Sequence, residues 1–282
     1  MKIIKDIKTI RPILLAAKKK QKTIGFVPTM GYLHEGHAAL LRQSKKENDV
    51  SVLSIFVNPK QFTPREDFEK YPRDWKKDEL LAKKEKVDII FYPSVEEMYP
   101  QGYRTYVEVE ELSCVLCGRS REGHFKGVAT VVLKLLNIVS PDVLYLGQKD
   151  AQQAVILSKM IEDLNFSLKV KVHPTVRERD GLAMSSRNSY LNQQQRKEAP
   201  ILFQALNSAK TNILEGERHS QKIIQFISNM ISQNTNGRVD TIECVNAQTL
   251  KPLKMLSGIV LIALAVWFGQ ARLIDNLTVR IR

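Results

Sequence analysis

Two histidines separated by two residues follow the first strand-like run of the chain. His34 and His37 close the segment PTMGYLHEGH at positions 28–37. Residues three apart share one face of a helical turn, and a helix N-terminus attracts anions through its free N–H groups and its dipole. Two imidazoles there could donate hydrogen bonds to phosphate oxygens. The spacing is not that of the zinc motif H-E-x-x-H, whose histidines are four apart. Because the pair directly follows a buried strand, and Gly31 and Gly36 permit close backbone approach, we predict a nucleotide phosphate site, with ordinary polar surface as the alternative.

Amide and cationic side chains follow two further predicted strands. Gln61 comes after the strand predicted over 50–57, and its amide could both donate to and accept from a substrate hydroxyl or carboxylate. The segment GQKDAQQ at 147–153 opens a predicted helix and supplies Lys149 and a second amide, Gln153. Ligands of open α/β sheets bind beyond the carboxyl ends of the strands, so we expect a site there. A glutamine that only stabilises a turn is the alternative for Gln61.

The polar stretch that follows carries two hydroxyls and a guanidinium. These are Ser185, Ser186 and Arg187, within AMSSRN at 183–188. The composition fits a flexible loop that closes over phosphate. An ordinary solvated linker would have the same composition, so both interpretations stay open at this point.

The predicted strands and helices that position these residues indicate two domains. Short β-branched runs alternate with helical patterns, which predicts an α/β fold with a Rossmann-like, doubly wound parallel sheet. From about residue 177 the pattern becomes α+β, and 282 residues are enough for two cores. We therefore predict an N-terminal domain over 1–176 and a smaller C-terminal domain over 177–282. The expected strands cover 23–27, 50–57, 87–92, 143–146, 168–173, 239–245, 258–268 and 277–281, and the expected helices 128–139, 151–164, 193–214 and 220–234.

Composition narrows the function classes. The chain has 43 Lys and Arg against 30 Asp and Glu, a formal net charge of +13. Lysines alternate with acidic residues in segments of helical period, as on solvated helix faces, so we favour a basic surface that attracts a polyanionic small substrate over nucleic-acid binding. The longest apolar run, at 259–268, is half of the roughly 20 residues that a membrane span needs. With no secretory signal visible, we expect a cytoplasmic protein that binds neither membrane nor specific nucleic acid.

The three cysteines indicate reduced thiols. Cys114 and Cys117 form a C-x-x-C pair, and Cys244 is distant in the chain. Zinc would need two more ligands at suitable spacing, and His124 with Cys244 makes a poor set. We expect no resident metal site, and a metal or redox role is the alternative.

Six ordered sequence strings carry a family resemblance. HEGH at 34–37 resembles the HxGH signature of the nucleotidyltransferase superfamily, and MSSR at 184–187 resembles the mobile KMSKS-type loop. With their neighbours, the strings are similar to those of the pantoate–β-alanine ligase family along essentially the whole chain. Tyr32 and Gln148 depart mildly from the family pattern. The strings are PTMGYLHEGH (28–37), FVNPKQF (56–62), REGHFKGVATVV (121–132), GQKDAQQ (147–153), MSSRN (184–188) and RLIDN (272–276).

The resemblance implies an ATP-dependent ligase. The family condenses pantoate with β-alanine to pantothenate and forms AMP and pyrophosphate through a pantoyl adenylate. ATP would be a substrate and Mg²⁺ a cofactor. The family's fold implies a homodimer that forms through the N-terminal domain and a C-terminal domain that acts as a lid. A transferase that moves an adenylyl or cytidylyl group to a phosphorylated acceptor is the nearest rival, and it would not require Gln61 and Gln153.

The resemblance also implies roles for individual residues. Gln61 and Gln153 would hold pantoate, and Gln61 would also lie near β-alanine. Tyr71, Arg121 and His124 match family strings without a clear role. The implied catalytic residues are His34, His37, Lys149, Ser185, Ser186 and Arg187. The implied ATP-binding residues are Met30, Gly31, Tyr32, Leu33, His34, Glu35, Gly36, His37, Gly147, Gln148, Lys149, Asp150, Val176, Met184, Ser185, Ser186 and Arg187.

Overall fold

The computed structural model describes residues 1–62 and 68–281, which form two compact units. The first unit comprises Met1–Ser113, Arg121–Gly147 and Ile156–His173, and the second comprises Cys114–Ser120, Gln148–Val155 and Pro174–Arg282. The second unit thus takes in two short segments from earlier in the chain. The division predicted at 176/177 stays a prediction.

Strands and helices alternate through the first half of the described chain. The strands are β1 (Lys2–Ile4), β2 (Ile24–Thr29), β3 (Val50–Ile55), β4 (Ile89–Phe91), β5 (Val143–Gly147), β6 (Lys169–His173), β7 (Arg238–Asn246), β8 (Ile259–Phe268) and β9 (Ala271–Arg280). The α-helices are α1 (Ile7–Lys19), α2 (Glu35–Glu47), α3 (Trp75–Lys84), α4 (Val95–Met98), α5 (Cys117–Ser120), α6 (His124–Val139), α7 (Ala151–Asp163), α8 (Gln193–Glu198), α9 (Ile201–Leu214) and α10 (Ser220–Asn234). Short 3₁₀ turns cover 59–61, 112–114, 148–150 and 186–190.

The first unit is built on a parallel sheet. Within the described residues, six strands pair in the order β1-β4-β3-β2-β5-β6. The central strands β2 and β3 are largely buried, as expected for a sheet covered on both faces. One face packs Val27 and Leu53 against Leu41 of α2 and Ala82 of α3. Helix α6 contacts β2 and α1. The predicted Rossmann-like architecture is confirmed.

The second unit is built on an antiparallel sheet. Strands β7, β8 and β9 pair in that order, and apolar side chains of β8 and β9 share a core with α9 and α10. Strand β9 begins at Ala271, six residues before the strand predicted over 277–281, because Gly269–Gln270 makes a two-residue hairpin turn. Gly269 has φ +59°, the positive φ that the first position of such a turn requires. The polar residues at 272–276 concealed this half of the strand from the pattern.

The single helix predicted over 193–214 is wrong. The segment forms α8 and α9, which are separated at Ala199 and Pro200. Proline has no N–H to donate within a helix, and its ring clashes with the carbonyl four residues earlier. Pro200 is instead tolerated at the cap of α9.

The helices of the described residues are too short or too polar for a bilayer. None of them combines the length and the apolar character that crossing a membrane needs.

Candidate active site

The loop between β2 and α2 has an unusual backbone. Gly31 and Tyr32 both have positive φ, +83° and +51°. The Thr29 hydroxyl accepts a hydrogen bond from the Gly31 N–H at 3.2 Å. The Asp78 carboxylate of α3 accepts from the N–H of Tyr32 at 2.9 Å and of Leu33 at 2.6 Å. A tyrosine with positive φ is strained, so these bonds are what hold the loop in place.

Asp78 is a buried carboxylate with a backbone-binding role. Its side chain lies almost wholly out of water, and this burial raises its pKa, although the bonds from Leu33 and Tyr32 act in the opposite direction. The two N–H groups that bind Asp78 are thereby occupied. Phosphate binding at this loop must then rely on other donors.

The two predicted phosphate ligands, His34 and His37, form a reciprocal pair at the start of α2. His34 caps the helix, and its Nδ1 accepts from the Gly36 N–H at 3.2 Å. The Nδ1 of His37 accepts from the His34 N–H at 3.3 Å, and the ring centroids are 4.1 Å apart. Because each Nδ1 is an acceptor, the proton of each neutral ring lies on Nε2. Each ring thus carries its Nε2–H beside a helix N-terminus.

The carboxylate in this first turn is neutralised locally. Glu35 forms an ion pair with Arg42, which also binds Glu85 at 3.0 Å. The negative charge of Glu35 is therefore opposed by a cation of its own helix. This ion pair offsets the repulsion that Glu35 would exert on an anion at the helix N-terminus.

Gln61 lies at the end of the 3₁₀ turn after β3, and its amide orientation is fixed. Its Oε1 accepts from Asn58 Nδ2 at 3.1 Å, and its Nε2 lies 3.1 Å from Met30 Sδ. Asn58 is itself held by the Tyr99 hydroxyl, which donates to Asn58 Oδ1 at 2.8 Å. The structure therefore brings two predicted site residues, Met30 and Gln61, into contact.

Helix α6 supports this turn from its N-terminus. Arg121 lies 2.9 Å from His124 Nε2, and His124 Nδ1 lies 2.7 Å from the Gln61 carbonyl oxygen. A carbonyl only accepts, so His124 carries its proton on Nδ1 and donates to Gln61. A Cβ on Gly127 would lie 2.1 Å from the Lys60 carbonyl oxygen. These contacts give the REGHFKG string a structural role in holding the Gln61 turn.

In the second unit, Lys149 and Asp150 lie in the 3₁₀ turn that precedes α7. Lys149 Nζ is 3.6 Å from Asp150 Oδ1, and about half of the Asp150 side-chain surface is exposed. The neighbouring Gln152 is used structurally, since it binds the Val115 carbonyl at 2.7 Å and the Cys117 N–H at 3.0 Å. Gln153 is half-buried, and it is the glutamine that the family resemblance assigns to pantoate.

The segment 174–190 folds into a turn and a short helix. The Met184 N–H donates to the Val176 carbonyl at 3.0 Å, which brings two predicted nucleotide residues together across a hairpin-like turn. Ser185 caps a 3₁₀ helix over 186–190 by accepting from the Arg187 N–H at 3.2 Å. Ser186 is buried. The segment predicted as a loop is therefore locally ordered, and its closure over phosphate stays a prediction.

The cysteines are free thiols in the described chain. Cys117 Sγ accepts from Arg272 at 3.4 Å, Cys114 is exposed, and burial raises the pKa of Cys244 to about 11. No cluster of three or more His, Cys, Asp or Glu able to hold a metal occurs in residues 1–62 and 68–281. The C-x-x-C pair therefore has no ligand partners within that part of the chain.

Comparison with known proteins decides the family. The profile of the family described as Pantoate-beta-alanine ligase matches residues 2–278. The chain belongs to this family. The pantothenate synthetase of Caldicellulosiruptor saccharolyticus is 52% identical over 281 residues, which cover 100% of both chains.

Solved structures of the family share the fold. The crystal structure of pantothenate synthetase from Thermus thermophilus has a TM-score of 0.93 and 42% identity over 98% of this chain and 99% of that chain. A pantoate-beta-alanine ligase from Francisella tularensis, complexed with beta-gamma ATP and beta-alanine, has a TM-score of 0.80 and 35% identity over 98% and 97%. The family resemblance of the six strings is thereby confirmed. The roles of individual residues stay predictions.

Sequence reasoning missed the residues that hold the family's motifs in place. Asn58 lies inside the FVNPKQF string, but nothing in the string distinguishes it from its neighbours. Asp78 binds the loop between β2 and α2 from a helix 45 residues away, and no local pattern marks it. A buried aspartate in an otherwise amphipathic helix is visible only once the packing is known.

Proposed function

We propose that this chain condenses pantoate with β-alanine to pantothenate, using ATP and releasing AMP and pyrophosphate through a pantoyl adenylate. Family membership over nearly the whole chain supports the ATP-dependent formation of pantothenate. The observation that carries the phosphate assignment is the reciprocal cap of His34 and His37, which aligns two Nε2–H donors at the N-terminus of α2. A relative has been crystallised with beta-gamma ATP and beta-alanine, which supports the substrate class.

The first chemical step requires positive charge and donors. The pantoate carboxylate attacks the α-phosphate of ATP, and the two groups repel each other as anions. Lys149 would neutralise the α-phosphate, and His34 and His37 would bind the phosphates as negative charge moves onto the leaving pyrophosphate. Arg187, with Ser185 and Ser186, would bind the β- and γ-phosphates.

The acceptor side of the reaction depends on amides. Gln61 and Gln153 would hold pantoate, and Gln61 would also contact β-alanine. The chain of bonds from Tyr99 through Asn58 fixes which end of the Gln61 amide donates. A preorganised amide loses little rotational freedom when substrate binds, which favours correct placement of the pantoate carboxylate for attack.

Magnesium fits the donor chemistry of the second unit. Mg²⁺ is usually held by one or two carboxylates together with substrate phosphates and water. The half-exposed Asp150 carboxylate, next to Lys149, could supply one such ligand. When bound with ATP, Mg²⁺ would neutralise phosphate charge.

The homodimer and the cytoplasmic location also stay predictions.

The test is product formation with each substrate alone and with both together. Purified protein with ATP and Mg²⁺ should release AMP continuously, and make pantothenate, only when pantoate and β-alanine are both present. His37→Ala should lower the rate by roughly 10²–10³. His219→Ala is the matched control, because that histidine is largely exposed and its ring pairs with the neighbouring Glu217.

Two results would contradict the proposal. Folded protein that binds ATP but does not turn over when pantoate and β-alanine are both present would exclude the ligase and leave the acceptor transferase. Equal losses in His37→Ala and His219→Ala would remove the assignment of His37 to phosphate.

A further inference from the structure

The side chain of Asn276 in β9 is fully engaged with one short segment of backbone. Its Nδ2 donates to the carbonyl oxygens of Gln148 at 3.0 Å and Lys149 at 2.9 Å. Its Oδ1 accepts from the side-chain Nε2 of Gln148 at 3.1 Å. Both donors and the acceptor of the amide are thus used. Asn276 is 5% exposed, so these bonds are made out of water.

The two carbonyls have a particular relation to Lys149. The Gln148 carbonyl belongs to the peptide plane before the Lys149 Cα, and the Lys149 carbonyl belongs to the plane after it. Fixing both planes fixes φ and ψ at Lys149, and therefore the direction of its Cα–Cβ bond. A flexible four-carbon side chain reaches a defined point with less loss of entropy when its root is fixed.

Asparagine is the residue type that this geometry requires. Aspartate would turn an acceptor toward two carbonyl oxygens that also accept, and alanine would leave both carbonyls without their buried donor. The backbone beneath the amide is fixed as well. The Asn276 N–H donates to Asp275 Oδ1 at 2.8 Å, and Asp275 is held by Arg177 through bonds of 2.6 and 2.9 Å.

The face of β9 explains why these contacts are separate from the core. Successive side chains of a strand point to opposite faces. Leu273 and Val279 belong to the core formed with α9 and α10, so Asn276 lies on the other face, where Ala263 is its partner on β8. Its amide therefore serves the 148–150 turn and not the core.

We propose that Asn276 is a positioning residue for the adenylation step, which acts by orienting Lys149. This rests on the role of Lys149 in the proposed function. Asn276 touches no reacting atom. It determines where the Lys149 ammonium is held when the α-phosphate is attacked.

A double-mutant cycle tests the proposal. Asn276→Ala, Lys149→Ala and the double variant are compared in single turnover, with enzyme in excess over ATP and pantoate as the only acceptor, by measuring pyrophosphate release. We expect Asn276→Ala to slow adenylation about 10- to 100-fold, as misplacement of a catalytic group does. In the Lys149→Ala background it should change the residual rate less than about threefold, because residues that act through one another are not additive.

Further readouts separate positioning from loss of structure. The kcat/KM for β-alanine should stay within about twofold of wild type in Asn276→Ala, since in the proposed reaction β-alanine reacts with the pantoyl adenylate after adenylation is complete. Asn246→Ala is the control, because the Asn246 side chain also makes two bonds to backbone, although as an acceptor: its Oδ1 accepts from the N–H groups of Gln248 at 2.9 Å and Thr249 at 3.0 Å, in the 248–249 turn. If Asn276→Ala does not fold, as judged by circular dichroism, Asn276→Ser takes its place, because a hydroxyl retains one donor.

The outcomes are distinct. Asn276→Ala with the wild-type rate of adenylation, or with an equal loss in both backgrounds, would overturn the inference and leave the proposed function intact. An unchanged rate in Lys149→Ala would remove the role of Lys149 and the inference with it. Wild-type protein that makes no pantothenate would overturn the proposed function itself.

Discussion

The phosphate loop of the first unit and the Lys149 turn of the second are held in opposite ways. The phosphate loop, residues 30–37, is anchored by a carboxylate, Asp78, that accepts from backbone N–H groups. The Lys149 turn is anchored by a neutral amide, Asn276, that donates to backbone carbonyls. In both, the residues predicted to do chemistry depend on a buried residue of another element.

The difference also bears on which groups could bind substrate. Asp78 occupies the N–H groups of Tyr32 and Leu33, so the predicted phosphate contacts of this loop are assigned to the histidine side chains. Asn276 occupies carbonyls, which would repel phosphate, and leaves the Lys149 side chain as the local cation. Each anchor residue therefore occupies backbone hydrogen-bonding groups, so that the predicted contacts with phosphate fall to side chains.

The largest effect is expected for Lys149, the cation of the second turn in this comparison. Lys149→Ala should lower kcat by roughly 10²–10³, because a cation aimed at developing phosphate charge is lost. Steady-state pantothenate formation measures it, and thermal unfolding should be nearly unchanged. Lys210→Ala, which removes an exposed lysine of α9, is the control. Retention of more than about a tenth of kcat in Lys149→Ala would contradict the role.

The next effect tests the carboxylate anchor. Asp78→Asn keeps the shape but turns an amide N–H toward one of two backbone donors, which should cost about 1–3 kcal/mol of unfolding free energy. Displacement of the phosphate loop should also lower kcat/KM for ATP about tenfold or more. Urea unfolding and steady-state kinetics measure the two.

A matched substitution lies four residues earlier, at the cap of the same helix. Asp74 caps α3 by accepting from the Lys77 N–H at 3.1 Å, and asparagine caps helices about as well as aspartate. Asp74→Asn should therefore leave both quantities close to wild type. Wild-type ATP kinetics in Asp78→Asn would show that the loop does not need its anchor.

A smaller and more selective effect is expected at the Gln61 turn. In Gly127→Ala the new Cβ would lie 2.1 Å from the Lys60 carbonyl oxygen, a backbone atom that must move. We expect a loss of about 1–3 kcal/mol in stability, as for overpacking, and a KM for pantoate raised several-fold while the KM for ATP changes less. Equal changes in both would mean that the Gln61 turn is not specific to the pantoate side.

The sequence is sufficient to predict the central strands of the parallel sheet because these strands are largely apolar runs, whereas the three-residue strand β1 is not predicted. Val50–Ile55 and Ile24–Thr29 carry that signal in a few adjacent residues. The site strings are visible for the same reason, since histidines, amides and lysine lie at strand ends within short segments. Features that depend on a few adjacent residues can therefore be predicted from the sequence.

The anchors could not be predicted because their partners are distant in the chain. Asn276 lies 127 residues from Lys149, and Asp78 lies 45 from Leu33. The RLIDN string supports the family resemblance without indicating a role, and its polar residues hide the first half of β9. The break in the helix at Pro200 is different, because a proline within the predicted helix is a local signal that the periodicity outweighed.

The smallest effect is expected for Cys114 and Cys117, two thiols of the second unit that have no assigned role. Cys117 Sγ accepts from Arg272, but Asp240 also binds that guanidinium, at 3.0 and 2.8 Å. A serine oxygen could still accept from Arg272, so the double substitution Cys114→Ser and Cys117→Ser should leave kcat within about twofold and change stability by less than about 1 kcal/mol. Kinetics, together with a dye assay for released zinc, measure the result. A large loss of activity accompanied by metal release would mean that Cys114 and Cys117 bind a metal.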